Sequence, residues 1–145
     1  MDVTTATDRA GVEAEVWAVM RLLFRQHRRR FLIAAAELDL HPAQAGALLQ
    51  LEEPLSMNHL AGELGCDNSN VTGLVDRLEA RGLVARRADP EDRRVRQVVL
   101  TAAGRRTRER LLKRVGQPMG DLGGLSNDEQ SQLLELLLRA ASRPM

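Results

Sequence analysis

The sequence MNHLAGELGCDNSNVTGLVDRLEARGLVARRADPEDRRVRQVVLT, residues 57–101, decides the fold of this chain. Its first part predicts a short helix, which Ser56 caps and Gly65 ends. Its middle part predicts a second helix, with Asp67 as the N-cap residue and Gly82 as a left-handed residue after the C-terminus. Only Cys66 separates Gly65 from the cap residue Asp67, so the two helices must turn sharply, as in a helix-turn-helix.

The second helix has two different faces. Four apolar residues at i, i+3, i+4 and i+7 form one stripe that must face a core: Val71, Leu74, Val75 and Leu78. The opposite side carries small hydrogen-bonding side chains and one cation: Asn68, Ser69, Asn70, Thr72 and Arg77. Such side chains can meet base edges and phosphates when the helix enters a major groove. We therefore predict that these five residues bind DNA.

A basic β-hairpin follows the second helix. Residues 83–87 and 95–101 read as two short strands, and the charged, turn-rich residues 88–94 form the tip between them. A helix-turn-helix followed by such a hairpin is a winged helix, and the fold class is mainly α with a small β-wing. Five arginines of the hairpin are predicted to hold phosphates and the minor groove: Arg86, Arg87, Arg93, Arg94 and Arg96.

The wing carries a family resemblance. Asp92-Arg93-Arg94, followed after five residues by Leu100-Thr101, resembles the wing motif of the MarR family of transcriptional regulators. Other matching residues extend the similarity over about residues 12–142: Leu60-Ala61, Val71-Thr72, Asp76-Arg77-Leu78-Glu79, Arg81-Gly82-Leu83-Val84, Asp89-Pro90 and Gly104.

The resemblance implies an organisation of the chain. Residues 1–145 would form a single MarR-type domain, with residues 41–101 as its winged helix-turn-helix. Residues 12–40 and 102–143 would be dimerisation helices, so that a homodimer presents two winged helices to successive major grooves. Arg94 would insert into the minor groove, with Asp92 helping to hold it in place.

The chain outside the winged helix is rich in apolar helix. A long helical pattern from about residue 12 to 38 has apolar residues on more than one side, and so does a last helix that follows a capping box at Ser126. Between them, residues 102–115 predict a basic helix capped by Thr101, and residues 116–124 predict a loop. Burial in one core would account for the surplus apolar surface, but in so small a chain we favour a homodimer interface.

Charge is concentrated where DNA binding is predicted. Residues 81–114 contain twelve Arg or Lys against four Asp or Glu, although the whole chain carries a net charge of only +1. Basic residues clustered beside a helix with a polar outer face are the electrostatic footprint of a phosphate-binding surface.

Two small sites have competing interpretations. In the family that the chain resembles, small aromatic or lipophilic effectors often lie between the dimerisation helices and the winged helix. Trp17, Met20 and Phe24 could line such a pocket, although core or interface packing also explains them. Cys66 could sense oxidants at a helix N-terminus, or could simply pack as a small hydrophobic residue, the interpretation we favour.

Several classes of protein do not fit the sequence. Residues 1–11 are polar and expected to be frayed, no secretion signal or membrane span is recognisable, and one cysteine cannot form an internal disulfide, so a cytoplasmic protein is expected. Three scattered histidines predict no metal site, and we expect no cofactor. No phosphate loop, nucleophile elbow or acid/base pair is recognisable in the sequence, so we do not expect an enzyme.

These patterns favour one function. The chain is expected to be a homodimeric, sequence-specific transcriptional regulator that binds a near-palindromic operator in double-stranded DNA, as a repressor released by a small molecule. The alternative is a winged-helix protein that acts as a protein-interaction module or coats DNA without sequence preference.

Overall fold

Six helices and three short strands make up the described part of the chain. The computed structural model describes residues 3–116 and 122–142, with side chains from residue 10 onward. In chain order these elements are α1 (Val3–Glu37), α2 (Pro42–Gln50), β1 (Leu55–Ser56), α3 (Met57–Leu64), α4 (Asn68–Ala80), β2 (Val84–Ala88), β3 (Arg96–Leu100), α5 (Ala102–Val115) and α6 (Asn127–Ala141). The sheet is antiparallel, in the order β1-β3-β2. The predicted fold class, mainly α with a small β-wing, is confirmed.

The helix-turn-helix forms as the sequence predicts. Ser56 caps α3 and accepts a hydrogen bond from the backbone N–H of His59, while Gly65 ends that helix in the left-handed region with φ 61°. Asp67 caps α4, and Gly82 follows its C-terminus with φ 69°. Positive φ is the conformation that glycine adopts without a side-chain penalty, so both glycines stand where the turns require them.

The N-terminal prediction is wrong in one respect. Residues 1–11 were expected to be frayed, but α1 begins at Val3 and continues for 35 residues. Once a helix is nucleated, each further residue adds a hydrogen bond, and the polar N-terminal residues do not interrupt this propagation. The predicted loop at residues 116–124 lies partly outside the described residues, which resume with a turn at residues 122–124.

The strands differ slightly from the prediction. The N–H of Leu83 donates to the carbonyl of Leu78 at 3.0 Å, closing the end of α4, so β2 begins one residue later. Val95 N–H bonds within the turn, to the carbonyl of Asp92 at 2.9 Å, so β3 also begins one residue later. The two-residue strand β1, whose Leu55 pairs with Val98, was missed because it is too short to show a period.

One compact unit, residues 29–115, contains an aliphatic core. The stripe predicted for α4 is buried, with Val71, Val75 and Leu78 fully covered and Leu74 nearly so. The largest fully buried side chains of this core also come from α2, α3 and α5 and the segments beside them: Leu48, Leu51, Leu60 and Leu111. Burial of such side chains contributes roughly 2 kcal/mol each, so this core holds α4 and the wing on one framework.

The start of α5 is locked to the end of α4. Thr101 Oγ1 donates to the carbonyl of Gly82 at 2.6 Å and accepts from the N–H of Gly104 at 3.0 Å. The N–H of Thr101 donates to the carbonyl of Leu83 at 3.1 Å. A Cβ atom on Gly104 would lie only 1.9 Å from that same carbonyl oxygen. The backbones therefore approach here more closely than any side chain allows.

The other compact unit consists of residues 1–28 and 116–145. Its described helical segments, the first part of α1 and all of α6, leave large apolar side chains exposed, Phe24 at 62% and Leu134 at 58%. The predicted capping box of α6 is present, with Ser126 and Glu129 bonding each other's backbone N–H. An amphipathic helix normally covers its apolar face, so this unit has apolar surface left to bury.

Candidate nucleic-acid interface

The polar face of α4 begins at its N-terminus. Asp67 Oδ1 accepts from the backbone N–H of Asn70 at 2.9 Å and from the hydroxyl of Ser69 at 2.8 Å. The Thr72 hydroxyl donates to the carbonyl of Asn68 at 2.8 Å, which leaves its oxygen free to accept. All five residues predicted on this face are exposed: Asn68, Ser69, Asn70, Thr72 and Arg77. A helix N-terminus also attracts phosphate through its unsatisfied N–H groups.

The capping carboxylate of α4 has a lowered pKa. The hydrogen bond from the Asn70 N–H is the main cause and that from the Ser69 hydroxyl the next, and together they hold the Asp67 pKa below its ordinary value of 3.8. Both bonds are stronger to the ionised carboxylate than to the neutral carboxyl group, which is why they lower its pKa. The start of α4 is thus stabilised by the charged form of one side chain.

We expect the contribution of Asp67 to depend on pH. The pKa of Asp67 is lower in the folded chain than in the unfolded chain. Its stabilising effect is therefore complete at pH values above the pKa of the unfolded chain, and it is lost as the pH falls through the pKa of the folded chain. Asp67→Ala should lower the urea midpoint at pH 7. The difference in urea midpoint between this variant and the wild type should shrink below pH 3.8. A deficit that stays constant over this range would contradict the charged cap.

A second aspartate shapes the tip of the wing. Asp89 Oδ1 accepts from the N–H of Glu91 at 2.7 Å and of Asp92 at 3.3 Å, and Asp89 Oδ2 accepts from Gln97 Nε2 at 2.6 Å. This role was not predicted, although an aspartate before a proline is a known turn signal. Asp89 therefore ties the tip of the wing to strand β3.

The predicted support by Asp92 takes a specific form. Its Oδ1 accepts from the backbone N–H of Arg94 at 3.0 Å, so the carboxylate orders the backbone of that arginine. The side chains of Arg93 and Arg94 are exposed, as are those of Arg87 and Arg96. The wing thus presents four cations to solvent from an ordered backbone.

Arg86 differs from the other predicted DNA-binding residues. Its guanidinium donates from Nη1 to Glu79 Oε2 and from Nη2 to Asp76 Oδ1, both at 2.6 Å, and its side chain is 23% exposed. Burial would lower its pKa, but the hydrogen bonds and charges of the two carboxylates outweigh this and raise it. Its predicted phosphate contact stays a prediction, while the partners it has in the structure are on α4.

The predicted DNA-binding set therefore lies on one compact unit, residues 29–115. Nine of its ten residues are exposed, and Arg86 is the exception. The exposed members comprise hydrogen-bonding groups at the start of α4, the cation Arg77 in its last turn, and cations along the hairpin. Polar groups of this kind can read base edges, while the cations neutralise phosphates. The arrangement is suited to binding a nucleic-acid duplex.

The predicted effector residues are only partly brought together. An open groove of about 350 Å³ lies within the unit of residues 1–28 and 116–145. It is lined by Val12, Glu15, Val16, Val19, Met20, Leu23, Leu133 and Leu137. Met20 thus lines it, but Trp17 and Phe24 do not, and their side chains are 51% and 62% exposed. Helical rotation by about 100° per residue carries these two aromatic rings away from the groove.

Other predicted features have simple positions in the structure. Cys66 is partly buried against the core, and the His41 side chain caps α2 by accepting from the N–H of Ala43 at 3.3 Å. Within residues 10–116 and 122–142, no three His, Cys, Asp or Glu side chains cluster as a metal site would require. None of the helices in this described part combines the length and apolarity needed to cross a bilayer.

Comparison with known proteins agrees with this geometry. The sequence model of the MarR family matches residues 47–95. The HTH-type transcriptional regulator YcgE of Bacillus subtilis is 31% identical over 135 residues, which cover 89% of this chain and 86% of YcgE.

Solved structures show the same fold with DNA and with a ligand. A transcriptional repressor, CouR, bound to a 23-mer DNA duplex is 34% identical and superposes with a TM-score of 0.65, over 86% of this chain and 90% of that one. CouR from Rhodococcus jostii RHA1 bound to p-coumaroyl-CoA is 27% identical and superposes with a TM-score of 0.70. The match covers 90% of this chain and 94% of that one.

Proposed function

The chain belongs to the MarR family of transcriptional regulators, and from that premise we propose that it is a homodimeric, sequence-specific DNA-binding repressor released by a small molecule. The observation that carries the proposal is the surface formed by α4 and the wing. Exposed polar side chains lie at the start of α4, and exposed arginines lie at the tip of the hairpin. In this role α4 reads a major groove and Arg94 enters the adjacent minor groove.

The exposed apolar helices support the homodimer. Side chains such as Trp17 and Phe24 on α1 and Leu134 and Leu138 on α6 are each more than half exposed in the single chain. Exposed apolar surface on this scale marks an interaction site. To reach successive major grooves on one face of DNA, the two copies of α4 in the proposed dimer must lie about 34 Å apart.

In the proposed mechanism, an effector acts on this spacing. A molecule that binds better to a dimer with wrongly spaced α4 helices shifts the population away from the DNA-binding form. The related CouR proteins, one bound to DNA and one to p-coumaroyl-CoA, support both partners. In this chain, the groove that Met20 lines offers an apolar lining for a small aromatic or lipophilic molecule.

The test of this function is selection from a random pool of DNA duplexes. We expect enrichment of a near-palindrome with half-sites about 10 base pairs apart. In titrations, the enriched duplex should bind at least about a thousandfold more tightly than a scrambled duplex of the same composition. Equal affinity for all duplexes would identify a coating protein instead, and no DNA binding would favour a protein-interaction module.

The dimer has a separate test on α6. Leu134→Glu should shift the protein from twice the chain mass to the chain mass in sedimentation, because a charge cannot be buried unpaired in an apolar interface. The exposed Gln132→Glu adds the same charge to the same helix and should leave the dimer intact. If wild-type protein and both variants sediment at the chain mass, the dimer is wrong.

A further inference from the structure

We propose that Arg86 is a positioning residue that joins the wing to α4 and fixes the distance between the two DNA-binding elements. The inference rests on the proposed DNA-binding function, which it deepens by giving this arginine a task other than contacting phosphate. It departs from the expectation for a basic hairpin, in which every arginine is a candidate for phosphate binding.

The contacts of the Arg86 guanidinium all lead to α4. Its guanidinium bonds Glu79 and Asp76, each at 2.6 Å, and its backbone N–H donates to Glu79 Oε1 at 3.1 Å. Glu79 therefore holds both the main chain and the side chain of one wing residue. Nη2 also lies 3.5 Å from the carbonyl oxygen of Thr72 on α4. Strand β2 is thus held to one side of the helix by both carboxylates.

Spacing on the helix makes this joint specific. Asp76 and Glu79 are three residues apart, so their side chains lie on neighbouring turns of one helix face. A planar guanidinium can donate to both at once, whereas the ammonium group of a lysine is a single point charge on a flexible stem. The joint consequently restricts the direction of strand β2 as well as its distance from α4.

The next arginine on the strand has a different environment. Successive side chains of a strand point to opposite faces, and the Arg87 side chain is exposed, with one 3.5 Å contact from its Nε to Gln97 Oε1. Arg87 is therefore the available phosphate ligand on β2, while the half-buried Arg86 holds the strand. The two residues form a matched pair for experiment.

Binding to the selected duplex separates positioning from electrostatics. Arg86→Met should weaken specific binding about tenfold, as expected when 1.4 kcal/mol is lost. The triple variant Arg86→Met/Asp76→Asn/Glu79→Gln should stay about tenfold weaker than the wild type, although it carries one more net positive charge. If the triple variant binds as tightly as the wild type or more tightly, Arg86 acts through charge and the proposal is overturned.

The salt dependence gives a second comparison. Arg87→Met should reduce the slope of log affinity against log salt by about 1, the loss of one phosphate contact. The triple variant should keep the wild-type slope, because positioning releases no counterions. A triple-variant slope reduced as much as that of Arg87→Met would place Arg86 on a phosphate and contradict the positioning role.

A measurement without DNA keeps this inference distinct from the proposed function. Hydrogen exchange of the β2 and β3 amides should be about tenfold faster in Arg86→Met and unchanged in Arg87→Met. Unchanged exchange in Arg86→Met would overturn the joint whatever the protein binds. If no duplex is selected but exchange accelerates as expected, the DNA-binding function fails while the joint between wing and helix stands.

Discussion

Gly104→Ala is expected to lower the free energy of unfolding by about 3 kcal/mol, near the upper end of the cost of overpacking a fitted site. The new Cβ would lie 1.9 Å from the carbonyl oxygen of Leu83 and 2.9 Å from its carbonyl carbon. Both are backbone atoms, so no side-chain rotation relieves the clash. That carbonyl also accepts from the N–H of Thr101 at 3.1 Å, and moving it disturbs the junction between α4 and α5. Urea denaturation at pH 7 measures the effect.

Gly62→Ala is the matched control for this prediction. Gly62 lies in helix α3, and a Cβ atom there would meet nothing within 4 Å. Alanine is a better helix former than glycine by up to about 1 kcal/mol, so this variant should be as stable as the wild type or more stable. Equal urea midpoints for the two variants would show that the backbones do not approach closely at Gly104.

Arg94→Ala is expected to weaken binding to the selected duplex by about tenfold, a loss of more than 1 kcal/mol. The side chain is exposed at the wing tip, and its backbone N–H is held by Asp92, so truncation removes a cation without loosening the turn. An arginine inserted in a narrow minor groove gains from the enhanced negative potential there. Titrations at several salt concentrations should also show a slope lowered by about 1.

Two comparisons make this prediction specific. Arg139→Ala removes the same charge from an exposed position on α6, which carries no predicted DNA-binding residue, and should leave affinity and slope unchanged. The urea midpoint of Arg94→Ala should match that of the wild type. If Arg94→Ala binds with the affinity of the wild type and with the same slope of log affinity against log salt, the wing tip does not contact DNA.

Most of the helical architecture follows from local sequence. The apolar stripe of α4 is buried as predicted. Asp67, Ser56 and Ser126 cap their helices because a side-chain oxygen reaches the N–H three residues ahead. The bounds of α5 are also as predicted, from residue 102 to 115. These features depend on neighbours within one or two turns, so the sequence pattern contains them. The start of α1 was missed because nothing near residue 12 stops the helix.

Contacts between distant residues were decided by the tertiary structure alone. The sequence pattern predicts the same role for Arg86 as for the other arginines of the hairpin, because it shows the charge of Arg86 but not the carboxylates of α4 that meet it. Likewise, the Arg81 side chain donates to the carbonyl of Asp39, 42 residues earlier, at 2.6 Å. The groove is also built from distant residues, because Met20 on α1 and Leu133 and Leu137 on α6 line it together.

The sequence by itself determined that this chain has a helix-turn-helix, a basic wing and apolar outer helices, because periodicity, caps and turn residues act over short distances. The tertiary structure decided which cations stay exposed and which one joins the wing to α4. It also decided that Gly104 must be glycine, since that requirement comes from the carbonyl of Leu83. These outcomes depend on how separate elements pack, and no local pattern specifies the atoms that a side chain meets across the core.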